Sequence, residues 1–243
     1  MSLEIADTTV LVTGANRGLG RALVDEALRR GAKLVYAASR QPIVVTDERV
    51  APLILDVTDP SQIRAAVEKV DSLDILINNA GVSFPDDLSD RWAFEQHLAV
   101  NLYGTLDVTQ AFLPSLTRSH GAVVNIVSLG AVAAVPVLAA YSVSKAASLS
   151  VTQSLRARLA GRGVSVYAVM PGPIDTDMVR DLDVPKAPAE DVARAALDGV
   201  ERGEEEIFPD PMSQLLADGW RTGVAKELER QNAALVPPES IAA

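Results

Sequence analysis

The chain has 243 residues, of which 48% are hydrophobic and 22% are charged, and its formal net charge is −10 at pH 7. This length and composition predict one folded domain spanning residues 1–243 and argue against intrinsic disorder. The negative charge argues against nucleic acid or an anionic membrane as a main partner. The chain has no cysteine, which excludes disulfides and a thiol nucleophile. We expect no metal site, no signal peptide and no membrane span, and hence a cytoplasmic protein.

The first motif is a glycine-rich turn between a predicted strand, residues 8–12, and a helical pattern, residues 21–30. The turn reads Thr13-Gly14-Ala15-Asn16-Arg17-Gly18-Leu19-Gly20. Small residues let the backbone approach a pyrophosphate, whose charge is met by the helix N-terminus, so this arrangement is typical of dinucleotide binding. The spacing is Gly-x-x-x-Gly-x-Gly, and taken alone the cluster is also compatible with a simple tight turn.

The second predicted strand, residues 33–38, ends at Ser39 and Arg40. In dinucleotide-binding folds an acidic residue at this point binds the ribose 2′-hydroxyl, whereas an arginine accommodates a 2′-phosphate. Arg40, together with Arg17 in the glycine-rich turn, therefore favours NADP over NAD, although either arginine alone could be a solvated surface charge. Only fifteen residues separate Arg40 from Asp56, so we expect an abbreviated crossover before the third strand, residues 52–55.

Polar and small residues follow the next two predicted strands. Asp56 ends the third strand and points toward the adenine side of a cofactor, whereas Thr58 or Asp59 is a candidate cap for the helix that Pro60 opens. The fourth strand, residues 74–77, ends in Asn78-Asn79-Ala80-Gly81, which suits a turn or close contact with a ligand. A long helical region, residues 89–116, is predicted to break near residues 103–104. It contains Asn101, whose side chain is expected to act outside the helix.

Three residues in the middle of the chain carry the chemistry. Ser128 follows a β-branched run, residues 123–127, and therefore lies at the carboxyl end of a buried strand, where ligands bind in open α/β sheets. Tyr141 and Lys145 are four residues apart on a predicted helix, residues 139–160, so they share one face. A lysine ammonium close to a tyrosine lowers the phenol pKa, which lets the tyrosine exchange a proton with an alcohol or carbonyl. Taken alone, such a pair is more often an aromatic residue beside a solvated charge, because pairs four residues apart are common on helices.

The last third of the chain continues the alternation of strands and helices. A sixth strand, residues 164–169, runs into the rigid turn Met170-Pro171-Gly172-Pro173, at the same end of the sheet as Ser128. Residues 175–188 are predicted to form a mobile lid, and residues 213–231 a C-terminal helix, with a helix at residues 189–202 and a last strand at residues 206–208 between them. The alternation predicts an α/β fold with a doubly wound parallel sheet.

Taken in order, these motifs resemble those of the short-chain dehydrogenase/reductase family. The residues that carry the resemblance are Thr13-Gly14-x3-Gly18-x-Gly20, Asn78-Asn79-Ala80-Gly81, Asn101, Ser128, Tyr141-x3-Lys145 and Pro171-Gly172. The resemblance covers residues 8–200. It implies a Rossmann-like sheet of about seven strands with helices on both faces, and hydride transfer between NADP(H) and a carbonyl or alcohol, as in carbonyl reductases.

The resemblance also implies roles for individual residues. Tyr141 would be the general acid or base, Lys145 would lower its pKa and bind the nicotinamide ribose, Ser128 would orient the substrate oxygen, and Asn101 would hold a water behind Lys145. The implied cofactor contacts are, in chain order, Gly14, Asn16, Arg17, Gly18, Leu19, Gly20, Ser39, Arg40, Asp56, Val57, Asn79, Ala80, Gly81, Tyr141, Lys145, Pro171, Ile174 and Thr176.

The resemblance implies a homodimer or homotetramer. The segment after Phe208 lacks the glycine-rich finish that is frequent in the family and that often takes part in a tetramer interface. The protein could therefore form only a dimer, packed through the long helices.

Three functions compete: an NADPH-dependent reductase of an uncharged hydrophobic ketone or aldehyde, a non-catalytic NADP-binding scaffold, and a relative with non-redox chemistry such as halide elimination. The hydrophobic substrate is predicted from apolar residues near the site, each of which could equally be core: Phe84, Ala131, Val132, Ala133, Val135, Val137, Leu138, Met178, Val179 and Trp220.

Overall fold

The computed structural model describes residues 3–180 and 183–236 and is built around a seven-stranded parallel sheet. The strand order is β3-β2-β1-β4-β5-β6-β7, and each neighbouring pair is parallel. The strands are β1 (Thr9–Thr13), β2 (Leu34–Ser39), β3 (Val50–Ile54), β4 (Ile75–Asn78), β5 (Ala122–Ile126), β6 (Ser165–Val169) and β7 (Glu206–Ile207). The predicted doubly wound sheet of about seven strands is therefore confirmed.

Helices connect the strands and cover both faces of the sheet. They are α1 (Gly18–Arg29), α2 (Pro60–Lys69), α3 (Arg91–Leu98), α4 (Thr105–Ser119), α5 (Ala139–Leu159), α6 (Ala189–Glu201), α7 (Pro211–Arg221) and α8 (Val224–Ala233). Helices α1 and α6 pack on one face, and α2, α4 and α5 pack on the other. Asp59 caps α2 by accepting hydrogen bonds from the N–H groups of Ser61 and Gln62, as its position before Pro60 predicts.

The two cores follow from the alternation of side chains along the strands. In β1, Val10 and Val12 belong to the core under α1 and α6, whereas Leu11 belongs to the core under α2 and α4. Strand β4 repeats this pattern, with Leu76 on the side opposite to its two neighbours. Successive side chains of a strand point to opposite faces, so continuous apolar runs are needed when both faces are buried.

The connection between β2 and β3 is the abbreviated crossover that the sequence predicts. Residues 40–49, all of which the structure describes, contain no helix.

Helix α3 and helix α4 are joined by a π-helical segment, Ala99–Gly104, so the predicted break is a change of helical pitch and not a turn. A π-helix is rare and occurs mostly as a single turn inserted in an α-helix, frequently at a functional site.

The predicted C-terminal helix over residues 213–231 is wrong in one respect, because two helices occupy this region. Helix α7 ends before Thr222, and α8 starts after Gly223, whose backbone is extended. Threonine and glycine are both poor helix formers, and the Thr222 hydroxyl donates back to the Asp218 carbonyl, which closes α7. Within the described ranges, no helix has the length and apolar character needed to cross a membrane.

Candidate active site

The site lies where the strand order reverses. The chain passes from β1 to β2 and β3 on one side and returns to β4 on the other, which opens a crevice at the carboxyl ends of β1 and β4. Thr13 and Asn79 join the two strand ends. The Thr13 hydroxyl accepts the N–H of Asn79 and that of Ala80, each at 3.0 Å, and the Asn79 amide donates to the Thr13 carbonyl at 2.9 Å. These bonds fix the floor of the crevice.

The glycine-rich turn has a backbone that only glycine adopts easily. Gly14 has φ +67° and Gly18 has φ +53°, both in the left-handed region. A Cβ atom on Gly14 would lie 2.9 Å from the Cα of Ala80, and one on Gly20 would lie 2.5 Å from Asn79 Nδ2 and would overlap the Gly14 carbonyl oxygen. The turn therefore packs directly against the β4 end, with α1 beginning at Gly18 above the crevice.

Replacing Gly20 tests this packing. We expect Gly20→Ala to lower the free energy of unfolding by about 1–3 kcal/mol, because the new methyl group meets backbone that cannot move aside. Gly219→Ala in α7 is the matched control. A Cβ there has nothing within 4 Å, so the same change should be neutral or stabilising by up to about 1 kcal/mol. Urea unfolding measures both, and equal effects of the two changes would contradict the close packing of Gly20.

A cavity of about 920 Å³ extends from the glycine-rich turn across the crevice to the carboxyl end of β5. Every residue that the resemblance places at the cofactor lines this cavity, from Gly14 to Thr176. Arg40 and Asp56 lie at the end near β2 and β3, and Ser128 and Tyr141 lie at the end near β5 and α5. A cavity of this size is at the upper end of the range for small-molecule sites.

A dinucleotide fits these residues. The left-handed glycines bring the backbone to the cavity wall without side chains, and the N-terminus of α1 faces the same space. A helix N-terminus with its free N–H groups stabilises a phosphate. Arg40 is exposed at the cavity rim and, in the part of the chain that the structure describes, forms no ion pair. Its guanidinium is therefore available to a second anionic group.

Ser128 and Tyr141 meet inside the cavity. The Ser128 Oγ accepts the N–H of Gly130 at 3.0 Å, which fixes its position. Burial raises the pKa of Tyr141 above its ordinary value, and the neighbouring Ser128 hydroxyl offsets only part of this effect. The net shift of the Tyr141 pKa is therefore upward, opposite to the lowering that the sequence predicts, because loss of hydration is its largest cause.

Lys145 lies on the same face of α5, with its Nζ atom 5.8 Å from the centre of the Tyr141 ring. The ammonium donates to the backbone carbonyl of Ile126 at 2.7 Å, and the side chain is almost fully buried. Burial lowers the pKa of Lys145 from 10.5 to about 8, because a charged group loses hydration in the core. At neutral pH the lysine is still mostly protonated, so a positive charge lies beneath the tyrosine.

Asn101 does not line the cavity, unlike the other three residues of the predicted catalytic set. Its Nδ2 donates to the Val82 carbonyl at 3.0 Å and to Ser144 Oγ at 2.9 Å, and its Oδ1 accepts the Val82 N–H at 2.9 Å. A Cβ on Gly81 would lie 3.2 Å from Asn101 Oδ1 and 3.9 Å from Lys145 Nζ. The glycine thus keeps a gap between the amide and the lysine. The π-helical segment turns Asn101 inward.

Sequence reasoning missed several lining residues. Val82 and Ser83 line the cavity directly after the Asn79–Gly81 turn, and their adjacency to that turn was the available signal. Met212 on α7 also lines it, which depends on packing between distant segments. Asp177, in the predicted lid, pairs with Arg17 at 2.7 Å and also binds Arg180. Arg17 therefore already has a partner.

The apolar residues predicted near the substrate divide into two groups. Ala133, Val135, Leu138, Met178 and Val179 line the cavity. The other five do not: Phe84 packs against His97, Ala131 and Trp220 pack against a small core cluster, and Val132 and Val137 are exposed. Within the predicted lid, residues 181–182 lie outside the described residues. The ends of the lid are joined where Asp175 and Ala187 hydrogen-bond at 2.8 Å.

This fold is that of a nucleotide-binding α/β protein, and known proteins share it. The model of the short chain dehydrogenase family matches residues 8–186. An uncharacterized oxidoreductase of Staphylococcus saprophyticus is 34% identical over 80% of this chain and 92% of its own length. Estradiol 17-beta-dehydrogenase 2 of Rattus norvegicus is 34% identical over 74% of this chain and 52% of its own length.

A solved structure extends the similarity to almost the whole chain. The crystal structure of a short chain dehydrogenase from Burkholderia cenocepacia in complex with NADP has a TM-score of 0.86 and 36% sequence identity, and the match covers 97% of this chain and 100% of the other. The chain belongs to the short chain dehydrogenase family and is an oxidoreductase of that family.

Proposed function

We propose that the protein is an NADP(H)-dependent oxidoreductase that reduces a ketone or aldehyde to the corresponding alcohol, or catalyses the reverse reaction. The observation that carries this proposal is that Ser128, Tyr141 and Lys145 line the same cavity as the glycine-rich turn. Acid–base groups and a phosphate-binding turn in one space are what hydride transfer to a carbonyl needs, because the oxygen must gain a proton as the carbon gains a hydride. When bound, the nicotinamide cofactor supplies that hydride.

The raised pKa of Tyr141 supports the reducing direction. The phenol is protonated throughout the neutral range, so it is ready to donate its proton to the substrate oxygen. Ser128 donates a hydrogen bond to the same oxygen as negative charge develops there. The Lys145 ammonium stabilises the phenolate that remains after proton transfer. Asn101 supports these three residues indirectly, because its amide binds Val82 and Ser144 and holds them in place.

NADP is the proposed cofactor, and Arg40 is the residue proposed to select it. Members of this family use nicotinamide cofactors, and the Burkholderia cenocepacia relative contains NADP. Arg40 follows β2 at the cavity rim, where an arginine accommodates the 2′-phosphate. Arg17 contributes less in this proposal than its sequence position implies, because Asp177 already neutralises its charge.

Replacing Arg40 tests the cofactor assignment. Arg40→Ala should lower kcat/KM with NADPH by about 10–100-fold, the value of a charge-assisted hydrogen bond to phosphate, and leave kcat/KM with NADH nearly unchanged. Arg21→Ala is the control, because Arg21 is an exposed arginine on α1 that pairs with Asp25. A wild-type preference for NADH, or an equal loss with both cofactors, would contradict the role of Arg40.

The proposed substrate is small, uncharged and hydrophobic. Among the apolar side chains that line the cavity, three segments supply Leu129, Ala133, Val135, Leu138, Met178, Val179, Val184 and Met212. Apart from Lys145, the basic residues that line the cavity are Arg17 in the glycine-rich turn and Arg40 after β2. A homodimer or homotetramer, a cytoplasmic location and the mobility of residues 175–188 stay predictions of the sequence.

The decisive experiment follows NADPH absorbance while aryl and alkyl ketones and aldehydes are screened as substrates. Turnover by the wild type supports the proposed reaction. If the wild type binds NADPH but turns over no carbonyl or alcohol, the non-catalytic scaffold gains support instead.

A further inference from the structure

Helix α5 begins beside the catalytic tyrosine without a cap of its own. The helix starts at Ala139, and Tyr141 lies in its first turn. The first N–H groups of any helix have no acceptor within the helix. Leu138, at the N-cap, has an apolar side chain and cannot accept a hydrogen bond from them. Fraying of this turn would therefore move the phenol directly.

Asp86 supplies the missing acceptor from a loop 54 residues earlier in the chain. Its carboxylate accepts the N–H of Ala140, at 2.9 Å to Oδ1 and 3.1 Å to Oδ2. The Asp86 N–H donates to the carbonyl of Val137 at 3.3 Å, and Asp86 and Leu138 form a parallel backbone bridge. Both the side chain and the backbone of Asp86 thus hold the chain where it enters α5.

The same loop is tied to two other parts of the site. Both backbone polar groups of Val82 bind the Asn101 amide. The Phe84 N–H points at His97 Nε2 at 3.4 Å, the two rings are 4.1 Å apart, and the His97 ring meets the edge of Tyr141 at 6.3 Å. Residues 82–86 therefore connect the π-helical segment to the first turn of α5.

We propose that Asp86 is a positioning residue for Tyr141: it caps α5 from outside the helix and thereby holds the phenol in the cavity. A carboxylate at a helix N-terminus is favoured by the partial positive charge there as well as by the hydrogen bonds. The effect on turnover rests on the proposed function, whereas the effect on the helix rests on the hydrogen bonds alone.

Two substitutions at this position separate the hydrogen bonds from the charge. Asp86→Ala should accelerate hydrogen exchange of the amides in residues 139–145 by about tenfold, which is the loss of one cap. It should also lower kcat by about tenfold or more through misplacement of the phenol, with little change in the Kd for NADPH. Asp86→Asn keeps an acceptor oxygen and should largely restore both values.

Two controls distinguish positioning from general loss of stability. Asp87→Ala removes the adjacent carboxylate, which binds Ser89 in its own loop, and should change neither value. Asp59→Ala removes an equivalent cap from α2 and should cost stability while leaving kcat at saturating NADPH and exchange at residues 139–145 unchanged.

Each outcome bears on one claim. Unchanged exchange at residues 139–145 in Asp86→Ala overturns the capping role, and faster exchange with unchanged kcat overturns the positioning role. If the wild type has no turnover, the proposed function fails, and exchange at residues 139–145 still decides whether Asp86 caps α5 as proposed.

Discussion

Tyr141→Phe should lower kcat for carbonyl reduction by about a thousandfold and leave the Kd for NADPH nearly unchanged. The substitution removes one oxygen atom from a ring that is held between His97 and Lys145, so the cavity keeps its shape. The variant loses the proton donor, and the Ser128 hydroxyl alone would remain to bind the substrate oxygen. Steady-state rates with the best ketone of the screen and fluorescence titration with NADPH measure the two quantities.

Tyr103→Phe is the matched control for this experiment. Tyr103 lies in the π-helical segment with about half of its surface exposed, and it does not line the cavity. Its substitution should leave kcat within about twofold, as expected for a surface change. If Tyr141→Phe kept most of the wild-type activity, the phenol would not be the proton donor, and the proposed mechanism would fail even if the cofactor bound.

Lys145→Met should reduce activity and increase stability at the same time. We expect kcat to fall by about a hundredfold or more, because the phenolate loses its neighbouring positive charge. The free energy of unfolding at pH 7 should rise by about 2 kcal/mol. A pKa lowered from 10.5 to about 8 corresponds to about 3 kcal/mol of unfavourable burial, and the lost hydrogen bond to Ile126 returns about 1 kcal/mol.

The pH dependence of this stability gain has a definite sign. The folded-state pKa of Lys145 is about 8, below the unfolded value of 10.5, so between these values the unfolded state binds more protons and wild-type stability rises with pH. The advantage of Lys145→Met should therefore be complete below pH 8 and shrink as the pH rises toward 10.5. Urea unfolding of both proteins at several pH values measures this. A constant difference across that range would contradict burial as the cause.

Lys226 provides the opposite case in the same chain. It is as buried as Lys145, but Glu205, Glu206 and Glu229 lie within 2.9 Å of its ammonium and raise its pKa. Lys226→Met would leave buried carboxylates short of a partner and should destabilise the protein by about 3 kcal/mol. We therefore expect a buried lysine to weaken the fold at position 145, where the proposed function gives it a use in catalysis, and to stabilise it at position 226.

Local patterns were sufficient to predict the sheet. The β-branched runs that form β1, β4 and β5 are buried on both faces, and the glycine-rich turn has a backbone that explains its composition. The short crossover after Arg40 followed from simple counting of residues. The division between α7 and α8 at Gly223 was within reach too, since threonine followed by glycine is a poor helix sequence.

Features that depend on distant segments could not be predicted. The burial of Tyr141 decides the direction of its pKa shift, and burial is a property of the packed chain. The pairing of Arg17 with Asp177 joins residues 160 positions apart. The inward orientation of Asn101 depends on hydrogen bonds to Val82 and Ser144, and its sequence neighbourhood gives only the expectation that it acts outside the helix.

The π-helical segment between α3 and α4 limits how the length of this region can vary. An α-helix advances by about 100° per residue, so one residue more or fewer rotates everything after it by that angle. His97 lies on α3, before the segment, and Phe112 lies on α4, after it, where it is buried against the sheet. The inward faces of α3 and α4 keep their orientations because the wider π-helical turn between them compensates for the rotation that one extra residue would cause. Single-residue insertions and deletions should thus be tolerated in the mostly exposed connection at residues 42–48, beyond Arg40, and excluded from residues 99–104.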